Sequence, residues 1–290
     1  EAIAQCEHDR IFVLTDETSL RLCWPLAERF ECLREVKMIT IPSGDTNKSL
    51  DSVSHVWTEL QNGGASRHSL LINMGGGMVT DLGGFAASCF KRGINFINIP
   101  TTLLAMVDAS VGGKTGINFG ALKNEIGVFN DSRHVILDTV FLRTLDHENI
   151  LSGYAEMLKH ALISDEKMWA DLITFNLDNP DMNALGRMLA ESVKIKERIV
   201  DEDPDEQGIR KALNVGHTAG HALESWAMRH GQSLLHGYAV AWGLIVELYL
   251  SAIKSGFPTD KMRQMVNFIR GNYGRLGITC KDYPELLELM

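Results

Sequence analysis

The sequence predicts two domains of different class: an α/β domain built on a doubly wound parallel sheet over residues 1–142, then an all-α domain over residues 143–290. Three observations carry this reading. Up to about residue 140, short Val- and Ile-rich runs alternate with stretches of helical spacing; after about residue 145 the strand-like runs stop. A glycine triplet, Gly75-Gly76-Gly77, stands between a strand-like run and a helix start, where a nucleotide-binding sheet keeps its phosphate turn.

The strands are expected in "RIFVLTD", "VKMITI", "SLLINM", "INFINIP" and "HVILD", each apolar, β-branched and closed by Gly, Pro or Asp. Between them, "SLRLCWPLAERF", "LDSVSHVWTELQNGG" and "MVTDLGGFAASCF" carry helical periodicity. Strand and helix in alternation call for parallel strands with crossover helices. Downstream, "NILSGYAEMLKHALI", "MNALGRMLAESVKIKERIV", "RKALNVGHTAGHALESWAMRH", "YAVAWGLIVELYLSAIKSG" and "TDKMRQMVNFIRGNYG" read as amphipathic or buried helices.

The charge balance, 28 Lys and Arg against 37 Asp and Glu, gives a net −9 and excludes a basic face for nucleic acid or an anionic membrane. The longest apolar run, "AVAWGLIVELYL", is interrupted by Glu247 and too short to span a bilayer. Cys6, Cys23, Cys32, Cys89 and Cys280 are odd in number and form no Cys-x-x-Cys, the pattern of reduced thiols in a cytoplasmic protein. No signal peptide is visible, although the chain opens on Glu1 rather than Met.

Two anion-binding regions stand out in the first half. Gly75, Gly76 and Gly77 let the backbone approach a pyrophosphate at a helix N-terminus, although Thr80 replaces the third glycine of G-x-G-x-x-G and ligand-free glycine turns are common. In "SGDTNKS", Asp45 suits a ribose hydroxyl and Lys48 a phosphate; the same residues also suit a solvated loop before a helix. "PTTLLAMVDASVGGKTGINFGALKNEIGVF" gathers Thr101, Thr102, Asp108, Lys114, Lys123 and Asn124 among glycines, an anion pocket with one counter-charge. Arg92, in "FKRG", is either a phosphate fork or a surface charge.

The second half offers metal chemistry. In "SGYAEMLKHALI", Glu156 shares a helix face with Lys159 and His160; on a buried helix a divalent ion would partner the carboxylate and a substrate anion the lysine. His217 and His221 are four apart and so also share a face, but Thr218 stands where the zinc-protease pattern needs Glu. With His236 beyond the turn, Glu156 and two of these three histidines make a Glu-plus-two-His catalytic site, and spacing leaves open which two bind. His230, beside Arg229 at a polar helix end, is expected to be exposed, and Glu224 to be a structural partner rather than a ligand. Lys194, Lys196, Arg210, Lys211 and Asn214 lead into His217, with Arg210 and Asn214 one helical turn before it. An anionic substrate, a dinucleotide and a Lewis-acid ion together fit transient oxidation of a secondary alcohol.

The blocks "GGGMVTDLGGF", "IPTTLLAMVDASVGGKTGIN", "KNEIGVF", "SGYAEMLKHALI", "DEDPDEQGIRKALNVGHTAGHALE" and "LLHGYAVAWG", in this order from about Ser43 to Gly243, resemble the 3-dehydroquinate synthase family of sugar-phosphate cyclases. The resemblance implies a dehydroquinate synthase-like fold, in which a nucleotide-binding sheet precedes a helical metal- and substrate-binding domain. It implies conversion of 3-deoxy-arabino-heptulosonate 7-phosphate to 3-dehydroquinate and phosphate in the shikimate pathway. The steps are NAD-dependent oxidation, phosphate elimination, re-reduction and intramolecular aldol closure, with NAD and Zn2+ or Co2+ as cofactors. By position, Glu156, His217 and His236 would hold the metal. Asp45, Lys48, Gly77, Asp81, Thr101, Thr102, Lys123 and Thr144 would line the NAD site. Arg92, Asp108, Lys114, Asn124, Lys159, Lys196, Arg210 and Asn214 would hold substrate, with His221 facing it. The arginine matching Arg92 reaches a neighbouring subunit in the family, which implies a homodimer.

Two departures qualify the match. Tyr238 stands where the family has Glu, beside His236, so a change behind the ligand is expected. The family also continues with an Asp-Lys-Lys segment whose lysine contacts substrate, whereas this sequence ends "YPELLELM", so a shortened C-terminus and impaired activity are expected. The rivals are an inosose- or valiolone-forming cyclase, a metal-dependent polyol dehydrogenase, and a remnant that binds NAD without chemistry. "GGKTGIN" with "KNEIGVF" favours the dehydroquinate enzyme.

Overall fold

The computed structural model describes residues 1–120, 122–164 and 166–290. The chain divides into two compact units, Glu1–Leu145 and Asp146–Met290. The division falls just past the expected 142/143 boundary, because a 3-10 turn at Thr139–Thr144 belongs with the sheet and Asp146 caps the first helix of the second unit.

In the first unit five parallel strands, β1 (Ile11–Asp16), β2 (Lys37–Ile41), β3 (Leu70–Gly75), β4 (Asn95–Pro100) and β7 (His134–Val135), lie in the order β2-β1-β3-β4-β7. The register sets Val13 beside Met38 on one side and Ile72 on the other, and Ile72 beside Ile97. Because β2 and β3 flank β1 on opposite sides, the strand order reverses there, and the carboxyl ends of β1 and β3 form the crevice where doubly wound sheets bind ligands. Asp16 ends β1 and Gly75 ends β3.

The unit's helices are α1 (Ala2–Gln5), α2 (Glu17–Leu22), α3 (Trp24–Ala27), α4 (Leu50–Asn62) and α5 (Gly77–Cys89). α4 is capped by Ser49, whose hydroxyl accepts the Ser52 N–H, and buries Val53, Val56 and Leu60 at one-face spacing. Those side chains pack with Phe12, Leu14, Ile39, Ile41, Leu71, Leu82 and Phe96 as the core, each apolar residue contributing about 1.5–3 kcal/mol by burial.

Two details differ from the sequence reading. The stretch expected as one helix over residues 19–30 is broken between α2 and α3, where Pro25 falls in the first turn of α3 and can give no N–H to a continuing helix. An antiparallel hairpin, β5 (Lys114–Phe119) with β6 (Leu122–Phe129), occupies part of the expected anion pocket. It anchors through Ile117, which is fully buried, while β6 is exposed along its length.

The second unit contains α6 (His147–Leu162), α7 (Glu166–Thr174), α8 (Met182–Glu202), α9 (His217–Arg229), α10 (His236–Ser255), α11 (Thr259–Asn272) and α12 (Tyr283–Leu289). α6 is buried on every side from Ile150 to Ala161, the pattern of a central helix. α10 is long and apolar enough, by length and composition alone, to cross a membrane, since the helix extends beyond the apolar run at both ends. Its Gly237, Ala239, Val240, Ala241, Gly243 and Leu244 are nevertheless buried within the bundle, beside α6 and α9.

Candidate active site

The helical unit builds a cluster around Glu156, which is fully buried on α6. Its Oε1 lies 3.5 Å from His217 Nε2 and 3.4 Å from His236 Nε2, while Lys159, one turn along the same helix, forms an ion pair with its Oε2. The ligand atoms of Glu156, His217 and His236 all lie within 4.8 Å of one another. His217 Nδ1 is 3.3 Å from the Val215 carbonyl. Glu224 Oε2 is 2.9 Å from His221 Nδ1 and 3.4 Å from His236 Nδ1.

Backbone contact between helices sets this geometry. Gly237 donates its N–H to Ser152 Oγ at 3.1 Å, and a Cβ on it would stand 1.8 Å from the Ser152 carbonyl oxygen. Ser152 is one helical turn before Glu156, so this contact delivers His236 to the carboxylate. Gly216, at φ +84°, breaks the chain direction before His217 and gives its N–H to Glu247 Oε2 at 2.8 Å. Arg210 and Asn214 therefore do not sit one turn before His217 on the same helix, as the sequence suggested. They lie on a separate 3-10 segment, Ile209–Asn214.

Burial alone would raise the Glu156 carboxyl, but Lys159, with His236 and His217, outweighs it and holds the group well below the usual carboxylate range. Burial likewise pulls the His236 ring down, and the neighbouring Glu156 and Glu224 carboxylates reverse this and push it up. Lys159, Lys196 and Arg210 are all buried. Buried cations require anionic or polar partners; Lys159 has Glu156, and Arg210 Nη1 donates to the Pro204 carbonyl at 2.7 Å. Asp203 stiffens that loop by accepting the N–H groups of Gln207, Gly208 and Arg210, bonds that hold its carboxyl below the normal range. Asn214 donates to Glu206 Oε1 at 2.8 Å. The structure thus brings Glu156, Lys159, His217, His221 and His236 together, and sets Lys196 and the Arg210–Asn214 segment on neighbouring elements.

Do these residues fit a divalent ion? Neither Glu156 oxygen accepts a hydrogen bond of ordinary geometry from the described residues, although Lys159 and two imidazoles surround it. A buried carboxylate faced by two Nε2 atoms is an oxygen–nitrogen donor set that suits Zn2+ or Co2+, with positions left for substrate. The residues fit.

In the sheet unit, Lys48 is buried and donates from Nζ to Asp81 Oδ2 and to Asn124 Oδ1, both at 2.5 Å. Lys123 pairs with Asp45 at 3.2 Å. Asn118 on β5 ties the group together, giving its backbone N–H to the Lys48 carbonyl and its amide to the Asp45 carbonyl, while its Oδ1 accepts the Asn124 N–H. Asp45, Lys48, Asp81, Lys123 and Asn124 are therefore one network, and the solvated-loop reading of Lys48 is wrong. Thr101 donates its N–H to the Gly75 carbonyl, beside Gly76 and Gly77 at the start of α5. The Thr102 hydroxyl accepts the Ala105 N–H. Thr144 donates to the Phe141 carbonyl and meets Cys23 Sγ at 3.5 Å. Asp108 lies in a π-helical turn, Ala105–Ala109, and Lys114 opens β5, exposed. Arg92 is exposed at φ +69° next to Lys91 at φ +49°, two left-handed non-glycine residues in succession.

Asp16 escaped the sequence reading. Its carboxylate caps α2 through Thr18 N–H and Ser19 N–H and accepts the Ser43 hydroxyl at the crevice. Its only sequence signal was an acid ending a strand before a helix. His230 is exposed, as expected, with its ring 4.6 Å from the Trp226 ring. Tyr238 packs edge-on against Trp242 and Tyr273 rather than serving as an acid. A groove of about 980 Å³ is lined mainly by residues of α7, α8 and the segment between them, mixes charges of both signs, and includes none of the cluster.

A parallel sheet with this strand order, followed in the chain by an all-helical unit, is the dehydroquinate synthase-like fold. Two solved members share the fold. One is 2-epi-5-epi-valiolone synthase from Streptomyces hygroscopicus subsp. jinggangensis with NAD+ and Zn2+ bound (TM-score 0.87, 26% identity, 100% of this chain and 82% of that one). The other is 2-deoxy-scyllo-inosose synthase complexed with carbaglucose-6-phosphate, NAD+ and Co2+ (TM-score 0.86, 25% identity, 98% and 79%). Residues 38–152 match the family described as 3-dehydroquinate synthase N-terminal, and residues 153–290 its C-terminal counterpart. The 3-dehydroquinate synthase of Parabacteroides distasonis is 51% identical over 288 residues, 99% of this chain and 82% of that protein. This chain belongs to the 3-dehydroquinate synthase family.

Proposed function

We propose that the chain converts 3-deoxy-arabino-heptulosonate 7-phosphate to 3-dehydroquinate and phosphate, with NAD+ and a divalent metal. The buried Glu156 carboxylate, faced by the Nε2 atoms of His217 and His236, is the observation that carries this reading within the family. When bound, NAD+ would supply reversible hydride transfer, and Zn2+ or Co2+, held by Glu156, His217 and His236, would polarise a substrate hydroxyl.

The chain's own groups then orient and neutralise. Lys159, Lys196 and Arg210 are rigid, desolvated cations suited to a substrate bearing a carboxylate and a phosphate. Asn214, held by Glu206, supplies an amide, and His221 presents an exposed ring. In the sheet unit, Gly75–Gly77, Thr101, Thr102 and Thr144 line the crevice side, while Asp45, Lys48, Asp81 and Lys123 supply the polar network for the dinucleotide. Asp108, Lys114 and Asn124 add polar groups from the same unit. No covalent nucleophile is required, because the leaving phosphate can take the proton itself; positioning carries the catalysis.

A homodimer is part of the reading: the left-handed Lys91–Arg92 turn projects an exposed guanidinium that suits a neighbouring subunit. The five free cysteines support a reducing, cytoplasmic setting. The decisive assay follows phosphate and NADH together, with the heptulosonate phosphate as substrate. Phosphate is expected at a steady rate with no net NADH, and a chelator should stop it. Steady NADH accumulation would mark a polyol dehydrogenase, and chelator-insensitive phosphate release would remove the metal from the reaction.

A further inference from the structure

Glu224 faces two histidines with a single oxygen. Its Oε2 lies 2.9 Å from His221 Nδ1 and 3.4 Å from His236 Nδ1, and the two rings stand 5.8 Å apart. Its side chain is only 9% exposed, and it sits one turn beyond His221 on α9, while His236 opens α10. On the far side of the His236 ring, Nε2 points at Glu156 Oε1. A ring whose Nδ1–H is held by a carboxylate must offer Nε2 as its lone pair, which fixes both the tautomer and the direction of a would-be ligand. His217 receives the same service from a neutral group, the Val215 carbonyl at 3.3 Å.

We infer that Glu224 is the positioning residue of the centre, one carboxylate that sets the tautomer and orientation of the metal ligand His236 and of the substrate-facing His221 together. The inference rests on the metal reading of Glu156, His217 and His236. It adds that the two kinds of histidine are coupled: disturbing Glu224 loosens the metal and misdirects the substrate contact in one stroke. The rival is a second metal site, since His221, Glu224 and His236 also bring their ligand atoms within 4.8 Å of one another. His221 is 62% exposed, which suits a ring held for substrate more than a closed ion cage.

The test measures zinc stoichiometry and affinity by chelator competition for the parent chain, Glu224→Ala, Glu224→Gln and Glu156→Ala. The ring tautomers of the zinc-loaded proteins are read by long-range 15N–1H NMR. One zinc per chain is expected in the parent and both Glu224 variants. Glu224→Ala should bind it about 10–100-fold more weakly, the usual cost of losing a partner behind a metal ligand. Glu224→Gln should fall between, because a neutral amide oxygen accepts the two ring N–H groups more weakly than a charged carboxylate does. His221 should carry its proton on Nδ1 in the parent and lose that preference in Glu224→Ala. KM for the heptulosonate phosphate should rise along with the zinc Kd.

Parent-like zinc affinity and parent-like tautomers in both Glu224 variants would overturn the inference, whatever happens to thermal stability. Two zinc ions per chain would overturn it in favour of the second site. If Glu224→Ala does not fold, the nearly isosteric Glu224→Gln carries the test alone. Glu156→Ala separates the two levels. If it keeps parent-like zinc binding, the metal reading itself falls; if it loses zinc while the Glu224 variants do not, only the role of Glu224 falls.

Discussion

Replacing His217 by alanine is expected to strip the chain of its metal and to lower kcat/KM for phosphate release on the order of a thousandfold, since Lewis-acid stabilisation is worth several kcal/mol and each 1.36 kcal/mol is a factor of ten. The expectation follows from placement: His217 Nε2 lies 3.5 Å from the buried Glu156 oxygen, with its other nitrogen occupied by the Val215 carbonyl. His221, one turn later on the same helix, turns its Nδ1 to Glu224 and remains largely exposed. His221→Ala should therefore retain one metal per chain and slow turnover by about 10–100-fold, the range of a lost hydrogen bond to a charged group. Elemental analysis of the two purified variants beside their steady-state rates decides the matter. Equal metal loss in both would show that the pair acts as a single clamp.

The second large effect is structural. Gly237→Ala puts a methyl group 1.8 Å from the Ser152 carbonyl oxygen and 2.4 Å from its carbon. Both are backbone atoms of α6 that cannot swing aside, so α10 must lift. Overpacking of this kind costs about 1–3 kcal/mol or more, and against rigid backbone the upper end is expected, roughly 6–12 °C in Tm for a chain of this size. Because His236 is the adjacent residue, zinc affinity should fall as well. Gly271→Ala is the control: nothing lies within 4 Å of its Cβ on α11, and the substitution should be neutral or stabilising by up to about 1 kcal/mol. Calorimetry showing the two variants melting together would refute the close-contact explanation.

Much of the architecture was legible because it rests on periodicity. The five strands of the sheet fall within short apolar runs, and α6, α8, α10 and α11 show their burial in their spacing. The hairpin over Lys114–Phe119 and Leu122–Phe129 escaped because charges and glycines dilute its alternation, and because β6 buries nothing that would show as a pattern. The break at Val215–Gly216 escaped for a different reason. A left-handed glycine looks, in one dimension, like any glycine within a helical run. α7 and α12 are short and were not distinguished from loop.

The site was legible in its residue types but not in its pairings. Helical spacing showed that His217 and His221 share a face, yet the partner of His217 is His236 from another helix, brought in by a glycine contact that no spacing rule encodes. The resemblance supplied the set Glu156, His217 and His236, and the geometry gathers those three. Lys48 reversed its bland reading because burial and a double contact, to Asp81 and Asn124, are three-dimensional facts.

The ion pair between Lys159 and Glu156 bears on the order of events in the cell. Some small metal-binding domains, zinc fingers among them, fold only when the ion binds. Here the ammonium of Lys159 stands beside the carboxylate and gives it a counter-charge from the chain itself. Maturation can then run in two stages, the polypeptide folding first and the ion arriving afterwards. Under metal starvation the chain would persist as a folded reservoir, ready to be loaded, rather than be cleared as unfolded protein. A chelator-treated chain that lost its helical circular dichroism would contradict this sequence of events.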